Sequence, residues 1–164
     1  MNLKKIFEAY KFAEVAHKGQ FRKNPPTEPY IEHPTRAAQT IHDYYPDEDA
    51  IYAALLHDVV EETSHTLGEI SDRFGNVVSF IVDGVTKLYN NVGTLEKIKE
   101  FSKKDKRVAL VKLADRIDNT KTIVDSEELK ERYVILNTEF YIPLGIEFGY
   151  EALSIELDKL TLKL

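Results

Sequence analysis

Apolar residues recur at three- and four-residue intervals along nearly all of this chain, the signature of amphipathic helices. Alternating Val/Ile/Thr runs that would mark strands are missing. Over 3–19, Leu3, Ile6, Phe7, Tyr10, Ala13 and Ala16 form one stripe, with lysines and glutamates opposite. The segment Arg22 to Pro29 contains Pro25, Pro26 and Pro29 and cannot be helical through its middle. Helix resumes after His33-Pro34, where proline suits a first turn, and runs to about Tyr45. Pro46-Asp47 opens the next, with Ala50, Ala53, Ala54, Leu55 and Leu56 inward, ending near Glu62. Thr66-Leu67-Gly68-Glu69 reads as a capping box for a short helix to Phe74, Gly75 stops it, and 76–88 forms another. Residues 89–105 are polar and glycine-containing at first, then lysine-rich, and give the weakest pattern. A strong helix is predicted over 106–124, a long one capped by Ser126 and broken or kinked at Pro143, and a last one to about Leu160. The pattern predicts an all-α fold of roughly eight to ten helices, with no linker dividing residues 1–164.

Length and charge narrow the class. A chain of 164 residues fits a single domain. At about 150 residues a domain buries roughly 70% of its unfolded surface, so its core closes without disulfide or structural metal. Cysteine is absent, which excludes thiol catalysis and zinc–thiolate sites and suits a reducing compartment. No apolar run spans a membrane, and the N-terminus lacks the apolar stretch of a secretory signal. Twenty-two basic against 28 acidic residues give a net charge of −6, which argues against general nucleic-acid binding. A cytoplasmic protein with neither nucleic-acid nor membrane partners is expected, homo-oligomerisation being left open.

Three features carry candidate chemistry. His57-Asp58 closes the apolar run Ala53 to Leu56 and puts two polar groups beside the core, which is costly without a partner. A helix C-terminus would explain a cationic histidine there. Glu61 and Glu62, however, lie four residues beyond His57 and Asp58. In a continuous helix they would stack like charges one turn apart, pointing to a metal or phosphate site. His33 stands before Pro34, either as a solvated helix-end histidine or as an imidazole ligand on a rigid turn. Asp115, Asn119 and Thr122 share one face of a helix whose apolar stripe includes Val108, Val111 and Ile117. Such a strip is a solvated face or a pocket wall, and by itself the pattern favours solvent. Two histidines and two aspartates form a mixed N/O ligand set suited to Mn²⁺, Fe²⁺ or Zn²⁺. Residues 97–112 hold seven Lys/Arg against two acids, either a solvated face or a field for a polyanion.

The ordered motifs Ala16-His17-Lys18-Gly19-Gln20, Arg22-Lys23, Pro29-Tyr30-Ile31-Glu32-His33-Pro34, Leu56-His57-Asp58 with Glu61-Glu62-Thr63, Val85-Thr86-Lys87-Leu88 and Leu113-Ala114-Asp115-Arg116 resemble the HD-type hydrolase domain of RelA/SpoT enzymes. They look equally like the MESH1-like stand-alone small alarmone (ppGpp) hydrolases. The resemblance covers about 10–124 and extends to Tyr141-Ile142-Pro143-Leu144. It implies an HD-superfamily helical fold and a metal, usually Mn²⁺, held by His33, His57, Asp58 and Asp115. It implies Glu61 and Glu62 as catalytic carboxylates, the second one methylene longer than the family's aspartate. It also implies Arg22 and Lys23 on the guanine, Asn119 at the base, Thr122 near the ribose and Tyr141 as a further substrate contact. The implied activity is 3′-pyrophosphohydrolysis of a guanosine polyphosphate, with no synthetase domain after Leu164. Two departures bear on the phosphate end: the family's Glu-Asn-x-Arg-Lys segment is not recognisable in 89–105, and Ile146-Glu147 replaces a His-Arg pair. Another nucleotide substrate (NADPH or a deoxynucleotide) and a catalytically silent nucleotide-binding domain stay open as alternatives.

Overall fold

The structure, a computed structural model, describes residues 1–23, 26–88, 93–123 and 126–164. The start of the weakly patterned segment, 89–92, lies outside the described residues, as do Asn24-Pro25 and Val124-Asp125. In chain order the helices are α1 (Leu3–Ala16), α2 (Glu32–Tyr44), α3 (Glu48–Leu56), α4 (Val59–Glu62), α5 (Leu67–Phe74), α6 (Asn76–Val85), α7 (Thr94–Lys104), α8 (Arg107–Lys121), α9 (Glu127–Leu136), a π turn (Asn137–Tyr141), α10 (Ile142–Glu147) and α11 (Glu151–Thr161). The all-α class is borne out, the described residues containing one isolated β-bridge, Phe21 to Pro29, and no strand.

Helix α8 is the axis of the fold. Twelve of its fifteen residues are buried, and α2, α3, α6, α7, α10 and α11 all pack on it. A helix covered on every side buries its polar residues too, so the Asp115, Asn119 and Thr122 strip faces a pocket and not bulk water. The expectation from sequence pattern alone is corrected on this point.

Local signals hold where they rest on side-chain capping. Thr66 and Glu69 form the capping box reciprocally, and Gly75, at φ 97°, ends α5 in a conformation that side chains disfavour. One register differs from expectation. On α1 the buried residues are Ala9, Phe12 and Ala13, while Leu3 and Phe7 are 76% and 60% exposed. Phe12 turns the helix inward by packing edge-on against Phe74, 5.7 Å between centroids. The long helix is interrupted next to Pro143, α9 giving way to the π turn before α10 begins. The π turn ends two residues earlier, and its wider backbone absorbs the hydrogen bond that proline cannot donate.

Gly145 of α10 passes so close to α8 and α11 that a methyl group would collide with Ser154 Oγ and lie 3.0 Å from Leu113 Cδ1. Gly145→Ala is expected to lower stability by about 1–3 kcal/mol, read as a drop in the denaturant midpoint. An unchanged midpoint would contradict this close approach.

Candidate metal centre and active site

Three helices meet at one buried point. His33 sits in the first turn of α2, His57 and Asp58 occupy the junction between α3 and α4, and Asp115 lies midway along α8. His57 Nδ1 donates to the Ala54 carbonyl at 2.7 Å, a side-chain cap on the last turn of α3. The helix therefore does not run on to Glu62. It restarts as the single turn α4, in which the Glu62 amide donates to the Asp58 carbonyl at 2.8 Å, so Asp58 and Glu62 still stand one helical turn apart. Glu61 instead turns to Lys87, whose ammonium and main-chain amide reach its two oxygens at 2.5 and 3.1 Å. Glu62 stands exposed on the rim, its carbonyl accepting from Gln20 Nε2 at 2.9 Å.

His33 Nδ1 faces Asp118 Oδ2 at 2.6 Å. Both acceptors are oxygens without protons, so each Nδ1 carries the hydrogen and each Nε2 points to the centre. His33 Nε2 lies 3.2 Å from Asp115 Oδ1 and 3.5 Å from Asp58 Oδ2. His57 Nε2 lies 3.3 Å from Asp58 Oδ2 and 3.7 Å from Asp115 Oδ1, yet is buried without a hydrogen bond. Ligand atoms about 2.1 Å from a shared ion stand roughly 3.0–3.5 Å apart, so the spacing and the orphaned Nε2 suit a divalent cation. Among the described residues, His33, His57 and Asp58 offer ligand atoms that all lie within 4.8 Å of one another.

The electrostatics agree. Burial pushes the Asp58 carboxyl up, but the imidazoles of His57 and His33 outweigh it and hold the group below its ordinary value. Burial likewise opposes ionisation of Asp115, which the Lys112 ammonium, 2.7 Å away, and the two histidines hold well below the carboxylate range. In return both imidazoles stand above their usual value despite burial, His57 well above. Without an ion, protons supply the positive charge that the carboxylates demand.

A cleft of about 640 Å³ opens over this point. Arg22, Lys23, Glu61, Glu62, Asn119, Thr122 and Tyr141 all line it, with His33, Asp58 and Asp115 at its floor and His57 behind them. Arg22 reaches Asn119 Oδ1 at 2.9 Å and Thr122 Oγ1 at 3.3 Å, and the Asn119 amide in turn donates to Asp115 Oδ1.

A model of the HD domain matches residues 9–146. The chain belongs to the HD-domain family. It is 39% identical over 159 residues to the guanosine-3′,5′-bis(diphosphate) 3′-pyrophosphohydrolase of Haemophilus influenzae, covering 91% of this chain and 23% of that one. It is 38% identical to the Aquifex aeolicus protein of the same name, covering 96% and 23%. The chain thus spans about a quarter of the length of these curated relatives. A solved structure of a metazoan SpoT ortholog, described as hydrolysing ppGpp and acting in starvation responses, superposes with a TM-score of 0.80 at 27% identity, covering 97% of this chain and 94% of that one. The resemblance read from the ordered motifs is borne out. Membership of the HD family and the His/Asp cluster together imply a divalent metal.

Several residues of this HD site escaped the sequence reading. Tyr30 donates to Asp58 Oδ2 at 2.8 Å. Asp118 orients His33 and is itself gripped by Arg36 Nε at 2.6 Å. Asp118 lies three residues after Asp115, and a second aspartate at helical spacing on an apolar stripe was the available signal. The basic stretch 97–112 proves structural: Lys97 pairs with Asp83, Lys99 with Glu147, Lys103 with Glu100 and Arg107 with Asp105 and Asp49. Of its seven cations, Lys112 alone lines the cleft.

Asp118→Asn is expected to weaken metal binding about 10- to 100-fold, measured by titration of Mn²⁺ into chelator-stripped protein; unchanged affinity would remove Asp118 from the site. The metal-free protein has its own pH signature. Imidazoles with raised values stabilise the fold fully below about pH 6.5 and lose that contribution as pH climbs through their folded-state values. Carboxyls with lowered values stabilise it above about pH 3.9 and lose that contribution as pH falls. The melting temperature in EDTA is therefore expected to peak between these limits, and a flat profile from pH 4 to 9 would contradict the assigned ionisation.

Proposed function

We propose that this HD domain, spanning residues 1–164 as one metal-dependent phosphohydrolase unit, hydrolyses guanosine 3′-diphosphate 5′-(di/tri)phosphate. The products are GDP or GTP and pyrophosphate. The observation that carries the reading is the convergence of His33, His57, Asp58 and Asp115 beneath a cleft edged by Glu61 and Glu62. Relatives named for this reaction support it. Its partner is a small polyanionic nucleotide, with no nucleic acid or membrane involved, and its compartment is the cytoplasm.

The proposed ion is Mn²⁺, held by His33, His57, Asp58 and Asp115. When bound it supplies Lewis acidity, polarising a phosphoryl oxygen and making water a stronger nucleophile near neutral pH. Glu61, oriented by the two Lys87 contacts, takes a proton from the attacking water. The bond broken is that between the 3′ phosphorus and the ribose 3′ oxygen. Pyrophosphate departs with the oxygen of the water, and Glu62 assists protonation of the 3′ oxygen. Arg22, Lys23, Asn119 and Thr122 hold the nucleoside and Tyr141 walls the cleft, contributing position more than chemistry.

Mn²⁺-loaded protein is expected to release pyrophosphate from guanosine 3′,5′-bis(diphosphate), and to release none with EDTA, after His57→Ala or after Asp58→Ala. Glu61→Gln should lower kcat about 10²- to 10⁴-fold with a smaller change in KM. A pyrophosphate-resolved screen of nucleotides checks both. Turnover of NADPH or a deoxynucleotide in preference to the guanosine compound would overturn the substrate, and full activity in the His57 variant would overturn the site.

A further inference from the structure

We propose that Arg116 is the anchor for the 5′-phosphates of the nucleotide, an inference that rests on the substrate reading above and names the subsite it leaves unassigned. Arg116 stands in the cleft wall, only 8% exposed. Its guanidinium packs on two aromatic rings, Cζ lying 3.6 Å from the Tyr133 centroid and 4.8 Å from that of Tyr141. Its Nε donates to Asn137 Oδ1 at 2.5 Å and one terminal nitrogen to the Tyr133 carbonyl at 3.4 Å. Both partners are neutral. Among the described residues no carboxylate pairs with it, and its remaining edge donates to no protein acceptor.

A buried cation without a counter-charge is costly. The fold nevertheless builds a holder for it. The π turn carries both Asn137 and Tyr141, and Asn137 is fixed from behind by Thr120 and Thr161 Oγ1 at 3.3 and 2.8 Å. Insertions of this kind in helices are frequent at functional sites. A planar fork packed on two rings with one free edge presents donors to an anion without further ordering.

Charge pairing in the rest of the cleft decides which anion. Lys112 is paired with Asp115 and Lys87 with Glu61, both beside the metal centre where the 3′-diphosphate must react. Arg22 lies on Asn119 and Thr122 at the nucleoside end. With Lys23 placed beside Arg22 at the nucleoside end, Arg116, packed on Tyr133 and Tyr141, is the cation left for the one remaining anionic group of the substrate. It also offers this chain a grip that its departures at 89–105 and Ile146-Glu147 would otherwise lack.

The test uses Mn²⁺-loaded protein and two ligands that are not hydrolysed, GDP and guanosine, by calorimetric titration. Wild type is expected to bind GDP at least about tenfold tighter than guanosine. Arg116→Met should weaken GDP by about 10- to 100-fold, the loss of charge-assisted hydrogen bonds, and leave guanosine unchanged. Arg116→Lys, which keeps the charge without the fork, should recover part. Equal wild-type affinity for the two ligands overturns the subsite without recourse to any variant, and a parallel loss of both in Arg116→Met assigns the residue to the fold alone. Protein that holds GDP through Arg116 yet releases no pyrophosphate overturns the hydrolase reading and not the subsite. Hydrolysis with GDP binding independent of Arg116 does the reverse.

Discussion

Two carboxylates from different helices, Asp58 and Asp115, face the same pair of buried imidazole nitrogens at the foot of the cleft. Like charges so close repel strongly where the dielectric is low, so the arrangement persists only with positive charge between them. Protons on His33 and His57 meet that demand when no ion is bound, and a divalent cation meets it better. The rest of the architecture follows from keeping these four side chains aimed at one point.

Aim is secured one layer out. Asp118 and the Ala54 carbonyl each take an Nδ1 proton, which fixes the rings and leaves both Nε2 atoms inward. Tyr30 donates to Asp58 Oδ2, the oxygen that faces both imidazoles, and Lys112 holds the outer oxygen of Asp115. Partners of this kind determine ligand basicity and orientation as much as the ligands do. The cost of burying them falls on α8, which carries Lys112, Asp115, Arg116 and Asp118 inside the fold, each matched to a partner on itself or on a neighbouring segment.

The cleft above separates its charges by task. Beside the centre, lysines are tied to carboxylates, which keeps those acids in place. Farther out, two guanidiniums, Arg22 and Arg116, rest on neutral amides and hydroxyls and so keep their charge for a ligand. The abundant lysines of 97–112 add nothing here, because ion pairs on the outer surface of α7 and at the start of α8 engage most of them.

The sequence by itself determined the helical class, the capping box at Thr66, the residue types of the metal set and the family motifs, because each depends on chemistry local to a few neighbouring positions. Glu61 and Glu62 were legible as carboxylates, but their directions were not: whether α3 continued past His57 depended on one side-chain cap. The facing of α1, decided by Phe12 against Phe74, and the burial of the Asp115 strip depended on what packs around them. Tyr30, Asp118 and Arg116 acquire meaning only in three dimensions. Their partners lie on other helices or on the distant π turn, and no periodicity within one helix encodes a contact made across a core.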